Sequence, residues 1–220
     1  MKILAFDTST KAGSVCLLEN ETIIGELYFN LDKTHSERIL PIIDYLLNFA
    51  NIDIKEIDLF VSGIGPGSFT GIRIGLSIAK GFSFALKKPL IGISSLDALA
   101  FNYYFEDEYL SIIEGRNKEY FYAIYKWENL NFKRISEYNV CKFENLPMRK
   151  IAVILEDSLF ISKNEHSEFK IDKVFNGNLF AHNYGILGYK KFLTNDKITA
   201  DVNPLYLKPS DAEIKFHTKF

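Results

Sequence analysis

Cysteine is scarce: Cys16 and Cys141 are the two in 220 residues, far apart and outside any Cys-x-x-Cys pair. They read as small apolar fillers in a reducing compartment, which excludes a disulfide framework and a thiol redox motif. Charge of one sign is scarce as well. The 26 Lys and Arg against 28 Asp and Glu leave a net charge of −2, and no long run of Lys and Arg forms, so tight binding of nucleic acid by this chain alone is not expected. No apolar run reaches the ~18 residues of a membrane span. The opening "MKILAFDTST" turns polar at Asp7, too early for a signal peptide, and the cytoplasm is the expected location.

What is present is the composition of an ordinary folded chain, 47% hydrophobic and 25% charged, long enough for one large domain or two of about a hundred residues. "KILAFDTS", "GSVCLLEN" and "TIIGELYFN" predict three strands, the last two joined as a hairpin through Asn20-Glu21. The period then changes. "THSERILPIIDYLLNFAN" places Ile39, Ile43, Leu46, Leu47 and Ala50 at helical spacing behind a Thr34/Glu37 capping box, and Pro41 inside it predicts a kink. "DLFVSGIG", "TGIRIGLSIAKGFSFALK", "PLIGISS" and "SLDALAFNYY" alternate strand and helix, with Ser94 and Asp97 at the last helix start, so a parallel section of sheet with crossover helices is expected. Beyond about residue 105, "YLSIIEGR", "EYFYAIYKWEN" and "FKRISEYNV" read as aromatic strands of a second sheet, the helical period being lost. "KIAVILED" is a further strand, "NLFAHNYGILGYKKFL" a helix and "NPLYLKPSDAEIKF" extended chain.

"SGIGPGSFTGIRIG" matches neither familiar phosphate loop. A Walker loop needs lysine directly after its second glycine, and Ile72 follows Gly71; a dinucleotide fingerprint needs G-x-G-x-x-G, and Gly63-x-Gly65 is followed by Gly67 instead of a glycine at 68. Gly65-Pro66-Gly67 predicts a tight turn, with Ser68 or Thr70 capping the next helix; the free N–H groups there either hold an anion or face water. Within that helix Gly67, Gly71, Gly75, Ala79 and Ser83 recur every fourth residue, a small-residue ridge that invites another backbone. The remaining circumference is mostly apolar and calls for burial on more than one side, by the chain's own sheet and by another helix, a second domain or a partner. Arg73 and Lys80, two turns apart on one side, meet either acidic groups of a partner or solvent. His35, His166, His182 and His217 stand outside H-x-x-x-H and H-E-x-x-H patterns, and Ser68 lacks a Gly-x-Ser-x-Gly context, so neither a catalytic residue nor a metal ligand is assigned.

"LAFDTST", "HSERILPII", "GPGSFTGIRIG" followed by "AKGF", and "GISSLDALA", in this order over the first hundred residues or so, resemble the TsaB (YeaZ) family of tRNA threonylcarbamoyladenosine biosynthesis. The second half resembles it more loosely: Arg116 fits a segment that opens with Asp-Ala-Arg in the family, where Glu114-Gly115 departs, and "NPLYLKPSDAE" resembles the closing Pro-x-Tyr-Leu element. The resemblance implies an α/β chain of two related domains, 1–104 and 105–220, of the actin, hexokinase and Hsp70-like ATPase (ribonuclease H-like) fold, with the last segment returning to the first domain. It implies a non-catalytic scaffold subunit that pairs with the catalytic paralogue TsaD and the ATPase TsaE, pairs with itself when alone, and meets tRNA only through the complex. His35, Ser36, Arg38, Ile39, Ile42, Ile43 and Leu46 on the first helix, and Gly71, Arg73, Ile74, Gly75, Ser77 and Ile78 on the second, are then the partner interface. Asp7, Thr8, Ser9, Gly67 and Ser68 are the remnant of a nucleotide site, with ATP or ADP expected only at a subunit junction; no glycine follows Asp7 until Gly13. The paralogue's metal is held by two histidines one helical turn apart, and here Ile39 stands four residues after His35. The competing expectation is an ATP-using enzyme of this fold or a metallopeptidase-like protein.

Overall fold

The computed structural model describes residues 1–30, 35–147, 149–155, 171–194 and 202–208, with residues 35–37 described by backbone alone. β1 (Lys2–Asp7), β2 (Ala12–Glu19) and β3 (Thr22–Asn30) form an antiparallel meander whose second turn is made by Asn20 in the left-handed region, a conformation asparagine tolerates. α1 (His35–Ala50) follows as one helix with Pro41 inside it; the Thr34/Glu37 capping box lies outside the described residues. β4 (Leu59–Gly63), α2 (Phe69–Leu86), β5 (Leu90–Ile93) and α3 (Ser95–Ala100) alternate as expected. The first sheet has the order β3-β2-β1-β4-β5, with β1, β4 and β5 parallel.

α3 is shorter than "SLDALAFNYY" suggested. The Asn102 side chain donates to the carbonyls of Leu99 and Asn178, both at 2.9 Å, closing the helix end and turning the chain. The second sheet comprises β6 (Tyr109–Glu114), β7 (Glu119–Glu128), β8 (Asn131–Arg134), β9 (Asn139–Lys142), β10 (Ile151–Leu155) and β11 (Lys173–Gly177). Its order is β11-β10-β6-β7-β8, with β9 also paired to β7; β6, β10 and β11 run parallel, while β7 is antiparallel to β6 and β8. This repeats the first ladder strand for strand. β11 escapes sequence reading because "KVFNG" shows neither a period of two nor a long apolar run.

α4 (Ala181–Thr194) lies on the first sheet. Its Gly185 and Gly188 permit the approach, since a Cβ there would come within 2.4 Å of Leu18 and 2.5 Å of Val61. α1 and α2 cover the opposite face through a core of Leu4, Phe6, Val15, Leu17 and Phe60. A second core, holding Tyr109, Tyr125 and Tyr184, joins both sheets, α3 and α4. No helix among the described residues is long and apolar enough to cross a membrane.

Candidate functional site

The β1–β2 turn and the β4–α2 corner are built onto each other. Asp7 is buried at the end of β1, and its Oδ2 accepts the Ser9 N–H at 3.1 Å and the Ser9 hydroxyl at 2.9 Å, closing the turn around its own side chain. The Ser9 carbonyl accepts the Ser68 N–H, the Thr8 hydroxyl donates to the Gly71 carbonyl at 2.7 Å, and the Ser68 hydroxyl caps α2 by accepting the Gly71 N–H at 3.3 Å. Asp7, Thr8, Ser9, Gly67 and Ser68 therefore converge as the resemblance implied. The Ser68 and Gly71 N–H groups, however, are engaged within the chain. The Tyr184 phenol lies close by in the core, its pKa driven well up by burial and then by Asp7.

The small-residue ridge is turned inward. A Cβ at Gly67 would sit 2.2 Å from the Ser9 carbonyl oxygen, at Gly71 1.9 Å from that of Thr8, and at Gly75 2.5 Å from the Thr8 hydroxyl. Ala79 is buried in the core beneath α2, and the Ser83 hydroxyl donates to the Lys88 carbonyl at 2.6 Å. The close neighbour that the spacing predicted is the chain's own turn. Periodicity identifies a close approach without distinguishing an internal neighbour from an external one.

Burial also divides the residues assigned to the interface. Ile39, Ile43 and Leu46 pack against the first sheet, and Gly71 and Gly75 lie under the turn, so these five belong to the interior instead of the outer face. The physical reason is simple: regular apolar spacing marks the core-facing stripe of a helix. Arg73 and Ser77 are exposed and Arg38 is half-buried, while half-buried Ile42, Ile74 and Ile78 pack against the edge of the same core. His35 and Ser36 begin α1, their side chains lying outside the described residues. Sequence reasoning missed the large apolar residues that do face outward: Leu40, Tyr45, Phe49 and Phe84 are 45%, 60%, 78% and 89% exposed. Tyr45 and Phe49 stack at 6.3 Å. A second apolar set on a helix that already has a core stripe is the signal that could have found them.

A cavity of about 580 Å³ opens at the ends of the two sheets, bordered by the β1–β2 turn, the start of α2, the end of β6 with residues 115 and 116, and residues 205–208. The last of these cross its mouth as a strap. The Leu205 N–H bonds the Ile64 carbonyl at 2.8 Å, and Lys208 pairs with Glu119 on β7. Between them Tyr206 stacks on Phe69 with ring centroids 4.6 Å apart, and its hydroxyl accepts the Arg73 Nε–H at 3.1 Å. The Arg73 guanidinium lies 3.9 Å from the Phe69 ring centre. Arg73 thus meets a phenol and a ring within its own chain.

Asp97 stands in the first turn of α3, where its spacing from Ser94 put it, and its carboxylate reaches the second sheet. Ser94 caps α3 by accepting the Leu96 N–H at 3.2 Å, while the Asp97 carboxylate accepts the hydroxyls of Tyr125 at 2.8 Å and Tyr138 at 2.7 Å. Burial raises its pKa, and the two phenol hydrogen bonds pull the other way. The cluster ties α3 to the second sheet. His182 at the start of α4 faces Glu26, Nδ1 to carboxylate 2.7 Å, and the other carboxylate oxygen accepts the His182 N–H at 2.9 Å, an acidic cap on a helix start. Among the described residues no three His, Cys, Asp or Glu side chains gather as a metal site.

Residues 26–203 match the family described as "TsaD: tRNA N6-adenosine threonylcarbamoyltransferase". The chain is 32% identical to the tRNA threonylcarbamoyladenosine biosynthesis protein TsaB of Bacillus subtilis, across 98% of each chain. It is 36% identical to the protein of the same name from Escherichia coli, across 57% of this chain and 55% of the other. YeaZ from Pseudomonas aeruginosa superposes with a TM-score of 0.79 over 94% of this chain and 99% of its own, at 24% identity, a likeness of fold. The doubled ladder, the turn-and-corner motif and these similarities agree: the chain belongs to the TsaB (YeaZ) family, with its actin, hexokinase and Hsp70-like fold.

Proposed function

We propose that the chain is a non-catalytic scaffold subunit in the cytoplasmic synthesis of threonylcarbamoyladenosine in tRNA. The observation that carries this reading is the outer face of α1 and α2, where the large rings of Tyr45, Phe49 and Phe84 are exposed. Monomeric proteins seldom leave large apolar side chains clustered without a partner. The partner is a catalytic paralogue of the threonylcarbamoyltransferase type, joined by a TsaE-like ATPase, with self-pairing through the same face when the chain is alone. The relatives' names supply the reaction; the arrangement of the turn and corner supports the scaffold role. Two of the N–H groups that could cradle a phosphate, those of Ser68 and Gly71, are engaged by the Ser9 carbonyl and the Ser68 hydroxyl, which supports a reading in which ATP or ADP binds only at a subunit junction and tRNA is met through the complex.

Threonylcarbamoyl transfer to tRNA, reconstituted from the purified paralogue and ATPase with and without this chain, tests the proposal. Transfer should require the chain and fail with the chain alone. Full transfer in its absence, or turnover by the lone chain, would overturn it.

A further inference from the structure

We propose that residues 205–208 are a latched gate on the cavity at the ends of the two sheets, and that Arg73, exposed on α2, holds the latch through Tyr206. The strap is fastened unequally along its length. Its root belongs to the first half: Val202 packs against the core beneath α2 and close to Gly92, where a Cβ would come within 2.5 Å of it, and the Leu205 N–H bonds the Ile64 carbonyl at 2.8 Å. Its tip reaches the second half, where Leu207 packs against the core that holds Phe121, and Lys208 pairs with Glu119. Between them Tyr206 is 42% exposed. A backbone hydrogen bond backed by a core side chain holds as long as the sheet does, whereas a half-buried ion pair and a phenol at the surface compete with water. The tip therefore opens while the root stays, a local opening of the weakly held end.

What the tip covers is largely apolar. Ile72, Ile113, Phe121 and Leu155 line the cavity together with Leu205 and Leu207 of the strap, so the closed strap keeps apolar wall from water and the open form is a minor state. The latch residues set its population. Arg73 is one of them: its Nε–H donates to the Tyr206 hydroxyl at 3.1 Å, and its guanidinium lies 3.9 Å from the centre of the Phe69 ring on which Tyr206 stacks at 4.6 Å. Arg73 is not among the described residues of the cavity wall. A change on the exposed side of α2 is thereby transmitted to the cavity through one phenol, and Tyr206 acts as the positioning residue of the gate.

Thiol labelling of the full chain tests this. Ile113→Cys puts a thiol on the buried inner wall, and the native Cys16, sealed in the first sheet, reports global opening in the same sample. Where closing outpaces the reagent, the rate at position 113 relative to that of Cys16 follows the population of the open strap. In this background Tyr206→Ala should raise the relative rate about tenfold, Arg73→Gln about fivefold, Tyr206→Phe, which keeps the ring, about threefold, and Lys208→Ala about twofold. If Ile113→Cys does not fold, Leu155→Cys on the same wall takes its place. Hydrogen exchange at the Leu205 amide should stay slow in all four, because the root does not move. Labelling that Tyr206→Ala leaves unchanged, or Cys16 and the wall thiol accelerating together, would overturn the gate. Acceleration by both Tyr206 variants without any by Arg73→Gln would overturn the hold of Arg73 on the latch.

Discussion

The two sheets share one strand order and differ in what covers them. β1, β2 and β4 are buried almost end to end, because α1 and α2 lie on one face and α4 on the other. β7 alternates between buried and half-exposed positions, and the four residues of β8 are mostly exposed. A sheet covered on both faces reads as continuous apolar runs, whereas one with an open face alternates. The turns after the first strands diverge in the same way. In the first sheet Asp7, Thr8 and Ser9 are buried under α2; in the second, Glu114 to Lys118 turn in the open, with Asn117 and Lys118 in the left-handed region at φ 58° and 57°. A duplicated frame thus supplies a sealed half whose helices present an outer surface, and an open half that walls the cavity.

The largest effect should come from the sealed half. Gly71→Val drives carbon into the Thr8 carbonyl, backbone that has no side chain to move aside, and should cost about 3 kcal/mol or more. Gly81→Ala, ten residues along the same helix, has nothing within 4 Å and should stabilise by up to about 1 kcal/mol through helix propensity. Urea denaturation of both compares them directly; equal shifts would mean that the ridge does not face the turn. Asp97→Ala, at the joint between halves, strands two phenol donors and should cost about 2–3 kcal/mol. Because burial raises the Asp97 pKa, its contribution to stability is full below the usual carboxylate range and is lost as pH rises through the raised value. Wild type should therefore lose stability relative to Asp97→Asn over that interval, and parallel pH profiles would refute this assignment.

Much of the first half is legible in the sequence because helical and strand periods are intact there: "THSERILPIIDYLLNFAN" and "GSFTGIRIGLSIAKGF" announce their helices and the Ser68 cap without help. What periodicity lacks is the identity of the neighbour. The resemblance implies a partner interface that includes Ile39, Ile43, Leu46, Gly71 and Gly75, and the chain's own sheet and turn take these five. The strap from Tyr206 to Arg73 joins residues 133 apart, and the Asp97 cluster joins a helix to strands far along the chain. No local pattern encodes such pairs. β11 was hidden by its brevity, five residues with Asn and Gly among them.

Smaller effects separate surface from core. Phe49→Asp with Phe84→Asp should leave folding stability within about 0.5 kcal/mol, since both side chains face solvent, while paralogue capture falls more than about tenfold. Loss of stability on the scale of Gly71→Val would place these rings inside. The thiols give the mildest contrast. Cys16 is buried and its pKa is pushed far up by burial, whereas Cys141 on β9 is half-buried and raised less, so a thiol reagent should label Cys141 first and reach Cys16 only on unfolding. Simultaneous labelling in the native protein would contradict the sealed first sheet.

The central claim is that the outer face of α1 and α2 docks a partner. Hydroxyl-radical footprinting of the chain, alone and with its threonylcarbamoyltransferase paralogue, reads it most directly. Tyr45, Phe49 and Phe84 should lose reactivity in the complex while Leu130 and Ile135, exposed on the second half, keep theirs. Protection of Leu130 and Ile135 with Tyr45, Phe49 and Phe84 still reactive would contradict it.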